Sequence, residues 1–110
     1  MADTLEVTRG DTLPLSFTIN YSNGDEYTLE DGDTVIFTVK ASTKVDDSDV
    51  LIQKTMTLDT GLHCECKPEE TQLPYGMYKY DVELNRANGQ RFTIIKPSNF
   101  KVTAEVTTHD

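Results

Sequence analysis

Leu73-Pro74-Tyr75-Gly76-Met77-Tyr78-Lys79-Tyr80-Asp81-Val82-Glu83-Leu84 is the stretch on which the fold turns. A tight turn at residues 74–76 runs straight into an alternating segment. Tyr78, Tyr80, Val82 and Leu84 fall on one face, and Lys79, Asp81 and Glu83 on the other. That is the period-two pattern of a strand with one dry side. The Gly-x-Tyr step into the strand predicts a tyrosine corner, with the Tyr78 hydroxyl bonding back to upstream backbone.

Working outward, the same alternation recurs on both sides. Residues 5–7 read as a short first strand, broken by Arg9-Gly10-Asp11. Leu13, Leu15, Phe17, Ile19 and Tyr21 alternate as a long second strand, which Pro14 places at an edge or near a bulge. A hairpin turn at residues 22–25 leads to a short return strand at 26–29. Residues 34–41 follow, with Val35, Phe37, Val39 and Ala41 facing inward and Ile36 partly covered on the other side. A polar loop spans residues 42–49. Ile52, Met56 and Leu58 then alternate, as do Leu62, Cys64 and Cys66.

Pro68-Glu69-Glu70-Thr71 suits a single helical turn, with proline at its first position and acids in its first turn. After the decisive stretch, Arg86-Ala87-Asn88-Gly89 reads as a hairpin loop. Phe92 and Ile94 mark a strand over residues 90–96. Pro97-Ser98-Asn99 interrupts it, and Phe100, Val102, Ala104 and Val106 mark a last strand. No window has a helical apolar period. About eight or nine short strands separated by turn signals are the pattern of a sandwich or barrel. With the tyrosine corner and the length, this predicts an all-β, immunoglobulin-like antiparallel β-sandwich. It forms one domain over residues 1–110, with flexible ends at 1–3 and 107–110.

The chain has 110 residues, with 10 Lys plus Arg, 19 Asp plus Glu and a formal net charge of −9. A domain of this size buries roughly 65% of its unfolded surface, so a core without staples is feasible. The acidity argues against nucleic acid, whose phosphates need a basic face, and against an anionic membrane. It fits a basic patch on a protein partner. Neither a signal peptide nor a membrane-length apolar run is present, which predicts synthesis in the cytoplasm. Cys64 and Cys66 lie two apart on one strand, where side chains splay too far for easy disulfide geometry. Free thiols fit a reducing compartment.

Candidate chemistry is sparse. His63-Cys64-Glu65-Cys66 contains zinc-type ligands, but the thiols point one way and His63 and Glu65 the other, so core thiols are the reading preferred to a metal site. Asp31, Asp33, Asp46, Asp47 and Asp49 lack the ligand series of a calcium loop and read as solvated turns. Arg9-Gly10-Asp11 matches a short integrin-binding signal, but a glycine break between strands explains it more simply. With His63 and His109 the only histidines and no nucleophile or phosphate motif, the expectation is a protein without catalytic residues or cofactor. Tyr27 and Tyr75, near turns, are the aromatics expected at the surface, while Tyr78 and Tyr80 read as core.

Four segments carry a resemblance. They are Arg9-Gly10-Asp11-Thr12-Leu13-Pro14-Leu15-Ser16-Phe17, the run from Leu29-Glu30-Asp31-Gly32-Asp33 through Val39, the stretch from Thr71 to Val82, and Phe100 to Thr107. Together they resemble small immunoglobulin-like β-sandwich proteins of tailed phages and prophages of Gram-positive bacteria, and are similar to the N-terminal domain of baseplate upper proteins. The resemblance implies a virion component: a structural or adaptor module of tail, baseplate or head. Its partners would be other phage structural proteins and copies of itself. It supplies no catalytic positions. A second class of reading is a sandwich that binds carbohydrate or a cell surface. Interface candidates are Leu5, Val7, Phe100 and Val102, on terminal strands expected at open edges, together with Tyr27 and Tyr75.

Overall fold

The computed structural model describes residues 4–21, 23–41 and 50–104. The loop expected over residues 42–49, with Asp46, Asp47 and Asp49, lies outside the described residues. So do both expected flexible ends, Val106 and His109.

The described chain is all β, with seven strands: β1 (Leu5–Thr8), β2 (Leu13–Ser16), β3 (Thr34–Lys40), β4 (Ile52–Thr57), β5 (His63–Cys66), β6 (Gly76–Asn85) and β7 (Arg91–Thr103). They form a five-stranded sheet of order β1-β7-β6-β3-β4 and a two-stranded sheet of β2 and β5. All pairings are antiparallel except β1 with β7, which run parallel with Leu5 opposite Phe100 and Val7 opposite Val102. The five-stranded sheet is therefore mixed, where a fully antiparallel fold is expected from the sequence.

Seven strands replace the expected eight or nine for two physical reasons. The return strand expected at residues 26–29 makes only an isolated bridge, Asn20 with Glu26, closed by Tyr21 N–H to Asp25 O at 2.7 Å and Tyr27 N–H to Ile19 O at 2.7 Å. The strands expected on either side of Pro97 are one continuous strand, because β7 carries two irregularities in its ladder with β6. Tyr80 faces Ser98, Val82 faces Ile95 and Glu83 faces Thr93, so β7 runs one residue long at each step. A bulge leaves a residue outside the ladder, which is how a strand tolerates a proline that has no N–H to donate. The expected second strand also shortens. Its regular ladder spans Leu13–Ser16 opposite a four-residue β5, and Phe17 N–H adds one further bond to Leu62 O at 2.9 Å. Pro14 is exposed there, in a sheet whose two strands are both edges.

The core lies between the sheets. From the five-stranded sheet come Val35, Phe37, Val39, Met56, Val82 and Phe100, all fully buried. Leu15, Ile19, Tyr27, Leu29 and Cys66 close it from the other side. Phe37 is the hinge-point of this packing. Its ring centroid lies 6.1 Å from Phe17, 5.7 Å from Tyr80 and 6.3 Å from Phe100. The alternation of residues 34–39 and 80–84 therefore reads directly as burial. Ala41 and Leu58, expected inward, are exposed, because each lies just past the end of its strand.

The turns are built from the residues expected to make them. Residues 67–71 form one hydrogen-bonded turn and no helix. Thr71 N–H reaches Lys67 O at 3.2 Å, and Glu70 Oε1 accepts from Lys67 N–H at 2.8 Å. Thr71 is fully buried, and its hydroxyl donates to Asp11 O at 2.8 Å, tying this turn to the one after β1. In that turn Asp11 N–H bonds Thr8 O at 3.0 Å, and Gly10 takes a φ of 84°, where a side chain would be strained. Arg9-Gly10-Asp11 is thus a strand-ending turn.

Candidate functional site

A knot of polar groups holds one end of the sandwich. Asp33 is 2% exposed, although the sequence reads it as a solvated turn residue. One carboxylate oxygen accepts from the Tyr27 hydroxyl and from Glu30 N–H at 3.1 Å; the other accepts from Ala87 N–H at 3.0 Å. The hydrogen bond from Tyr27 holds the Asp33 carboxyl below the ordinary carboxylate value, helped by both backbone donors and opposed by burial. Burial, then the adjoining carboxylate, raise the Tyr27 hydroxyl. Arg86 stacks over Tyr27 at 5.6 Å from the ring centroid and pairs with Glu30 at 3.1 Å.

Gly32 lets this knot close. Its φ is 91°, and a Cβ placed there would lie 2.8 Å from the Ala87 Cβ. Gly32→Ala should therefore cost about 2 kcal/mol through backbone strain and overlap. Adding Ala87→Gly should restore part of it. Urea midpoints of the three variants would separate the two causes, since only the overlap responds to the second change.

Against this rigid end lies an open groove of about 600 Å³ between residues 18–21 and the first half of β7. Ile19, Tyr27, Leu84 and Ile94 supply its apolar floor, and Arg86, Tyr21 and Phe92 its rim. Tyr21 is 55% exposed and Phe92 47%. Phe92, opposite Leu84 on β6, is exposed here, and β1 pairs with β7 only from Phe100 to Thr103. Among the described residues, no strand pairs with the outer side of β7 between Arg91 and Asn99. This is a sheet edge beside an apolar groove. The open half of β7 carries two exposed cations, Arg91 and Lys96, while Arg86 is paired with Glu30 and Lys101 stands opposite Glu6 on β1.

The sequence signals for this site are uneven. Phe92 and Tyr21 are recognisable as apolar positions, but their exposure at the groove is not legible in the alternation. Of the expected interface residues, Tyr75 is 57% exposed and lies under Arg9, whose guanidinium carbon is 6.0 Å from the ring centroid. Leu5 is half-buried on β1, and Val7 is 5% exposed and part of the core. Phe100 and Val102 correct the expectation of an open terminal edge. Both are buried, and both are flanked by β1 on one side and β6 on the other. Tyr27 corrects the expectation of a surface aromatic, because Asp33 supplies a buried acceptor for its hydroxyl. The Tyr78 hydroxyl donates to Pro74 O at 2.5 Å, four residues upstream.

The thiols are separate from this region. Cys66 is fully buried and Cys64 half-buried, while His63 and Glu65 are exposed on the other face of β5. No group of three metal-binding side chains comes together among the described residues. Burial, reinforced by Cys64, pushes the Cys66 thiol up to about 11, and burial also raises Cys64. The thiolate is the reactive form, so both should alkylate slowly in the native protein at neutral pH. Iodoacetamide labelling followed by peptide mass spectrometry should show Cys64 modified first and Cys66 only on global unfolding.

No family model, curated protein or solved structure gives a significant match to the chain.

Proposed function

We propose that this protein is a non-catalytic structural or adaptor module of a tailed-phage particle, made in the bacterial host cytoplasm and working by packing against neighbouring proteins of the tail, baseplate or head. The observation that carries this reading is the unpaired first half of β7 beside a groove rimmed by Tyr21 and Phe92. An open edge with adjoining apolar surface suits strand addition and packing between chains. The sequence resemblance supplies the virion context. The order β1-β7-β6-β3-β4, a parallel first strand and the facing β2–β5 pair support an immunoglobulin-like sandwich as the finer description of the fold.

Quantitative mass spectrometry of purified particles tests the assignment. Peptides from β7 at an abundance comparable to known tail proteins are expected. Their absence from intact particles, with the protein present in the lysate, would remove it. One observation favours the carbohydrate reading as the alternative: the groove presents two exposed aromatic rings beside Asn20, Thr93 and Arg86, groups able to stack on and hydrogen-bond a sugar. Binding on a glycan array that is lost in Tyr21→Ser would favour it.

A further inference from the structure

We infer that the open half of β7 is a docking edge for one kind of partner: an extended, acidic segment of another protein, added as a further strand with alternate apolar side chains in the Tyr21–Phe92 groove. This names the partner chemistry of the packing function proposed above and rests on that reading.

Three features of the molecule lead to it. The edge is available, since β1 ends its pairing at Phe100 and, among the described residues, no strand pairs with the outer side of residues 91–96. A strand added there finds main-chain donors and acceptors already extended by the ladder with β6. The groove is next to this edge. Side chains alternate across a strand, so every second residue of an added segment falls on the side of Ile19, Phe92 and Ile94. Its volume of about 600 Å³ suits apolar side chains of ordinary size.

Charge chooses the occupant. In a chain of net charge −9, the open half of β7 holds two exposed cations, Arg91 and Lys96, and no acid. Two copies paired through this edge would set Arg91 and Lys96 of one against the same cations of the other, and like charges across a ladder are destabilising. A basic segment meets the same penalty. An acidic one gains from the exposed Arg91 and Lys96, and is steered towards this side of an otherwise acidic protein. The outer depression on the opposite face of the sheet, of about 480 Å³, lacks this bias, because Arg91 shares it with Asp81 and Glu83.

The experiment is selection from a random dodecapeptide library on the purified full chain. Affinity of the enriched peptides is then measured for the wild type, for an Arg91→Glu/Lys96→Glu variant and for Tyr21→Ser. All three changes lie on exposed side chains, so thermal melts should confirm that the variants fold. Enriched peptides should be acidic with alternating apolar residues. They should shift the amide resonances of residues 91–96, and lose roughly tenfold or more in affinity on charge reversal. Enrichment without an acidic bias, failure to enrich any peptide, or affinity unchanged by charge reversal would each overturn the inference. The assay uses isolated protein and is independent of the particle measurement. Acidic-peptide binding by a protein absent from particles would remove the virion reading and leave the docking edge. A virion protein with no such binding would do the reverse.

Discussion

Phe37→Ala is expected to remove about 4 kcal/mol of folding stability, the largest loss from any single side-chain truncation in this domain. Phe37 is fully buried on β3, an interior strand of the five-stranded sheet, paired to β4 on one side and β6 on the other. Its ring meets Phe17 from the opposing sheet as well as Tyr80 and Phe100 from its own. Truncation loses the transfer energy of the ring and leaves a cavity whose walls belong to four different segments of chain. Strands held by ladders on both sides cannot collapse into such a space, so the cavity term persists. A domain of this size has about 5 to 15 kcal/mol in total. The variant should therefore unfold at a much lower urea concentration, with an unchanged slope if the transition stays two-state. Phe37→Leu should recover more than half of the loss. Equal losses in both variants would show that the ring does not join the sheets.

Asp33→Ala is expected to cost about 3 kcal/mol, although the sequence places Asp33 in a polar turn. The substitution leaves the Tyr27 hydroxyl and the N–H groups of Glu30 and Ala87 without their acceptor, the last of them 54 residues away in sequence. Removing one partner of a buried network costs the desolvation of the groups left behind. The pH dependence follows from the depressed carboxyl. The stabilisation is fully present above the unfolded value of 3.8 and is lost as the pH falls through the lower folded value, because the unfolded chain then takes up the proton first. Glu70, also held low, adds a loss of the same sign below its ordinary 4.5. Asp33→Asn should therefore show a shallower acid limb than the wild type in a series of urea melts below pH 5. An identical acid limb would mean that Asp33 does not titrate differently on folding.

These two variants mark where sequence reading succeeds and where it stops. Phe37 and its neighbours Val35 and Val39 are legible because a strand buried on one face obliges every second residue to be apolar, and the pattern needs no knowledge of the partner strands. The turn residues are legible for the same local reason. Tyr27 and Asp33 are not, since a tyrosine near a turn and an acid in a Glu-Asp-Gly-Asp run look solvent-facing until the loop after β6 brings the Ala87 N–H to them. Pro97 reads as a break because the bulges that absorb it belong to the ladder with β6 and not to the sequence of β7. The site depends on a still more distant fact. Phe92 is exposed and Phe100 buried, eight residues apart on one strand, because Phe100 packs against Phe37 in the core while Phe92 lies at the open groove. Alternation assigns a residue to a face of a sheet, but it does not say which strand ends are left uncovered.

The groove and the basic edge are therefore properties of the assembled sandwich, and their use is best examined in the assembly proposed for it. The decisive measurement is cross-linking mass spectrometry on intact particles with a reagent joining amines to carboxylates. Cross-links from Lys96 and Lys101 to acidic residues of a neighbouring particle protein, absent when that protein is free in solution, are the expected result. Particles that contain the protein but link it only through β4 or the β2–β5 sheet, with Lys96 left open to modification, would contradict the assignment of β7 as the contact edge.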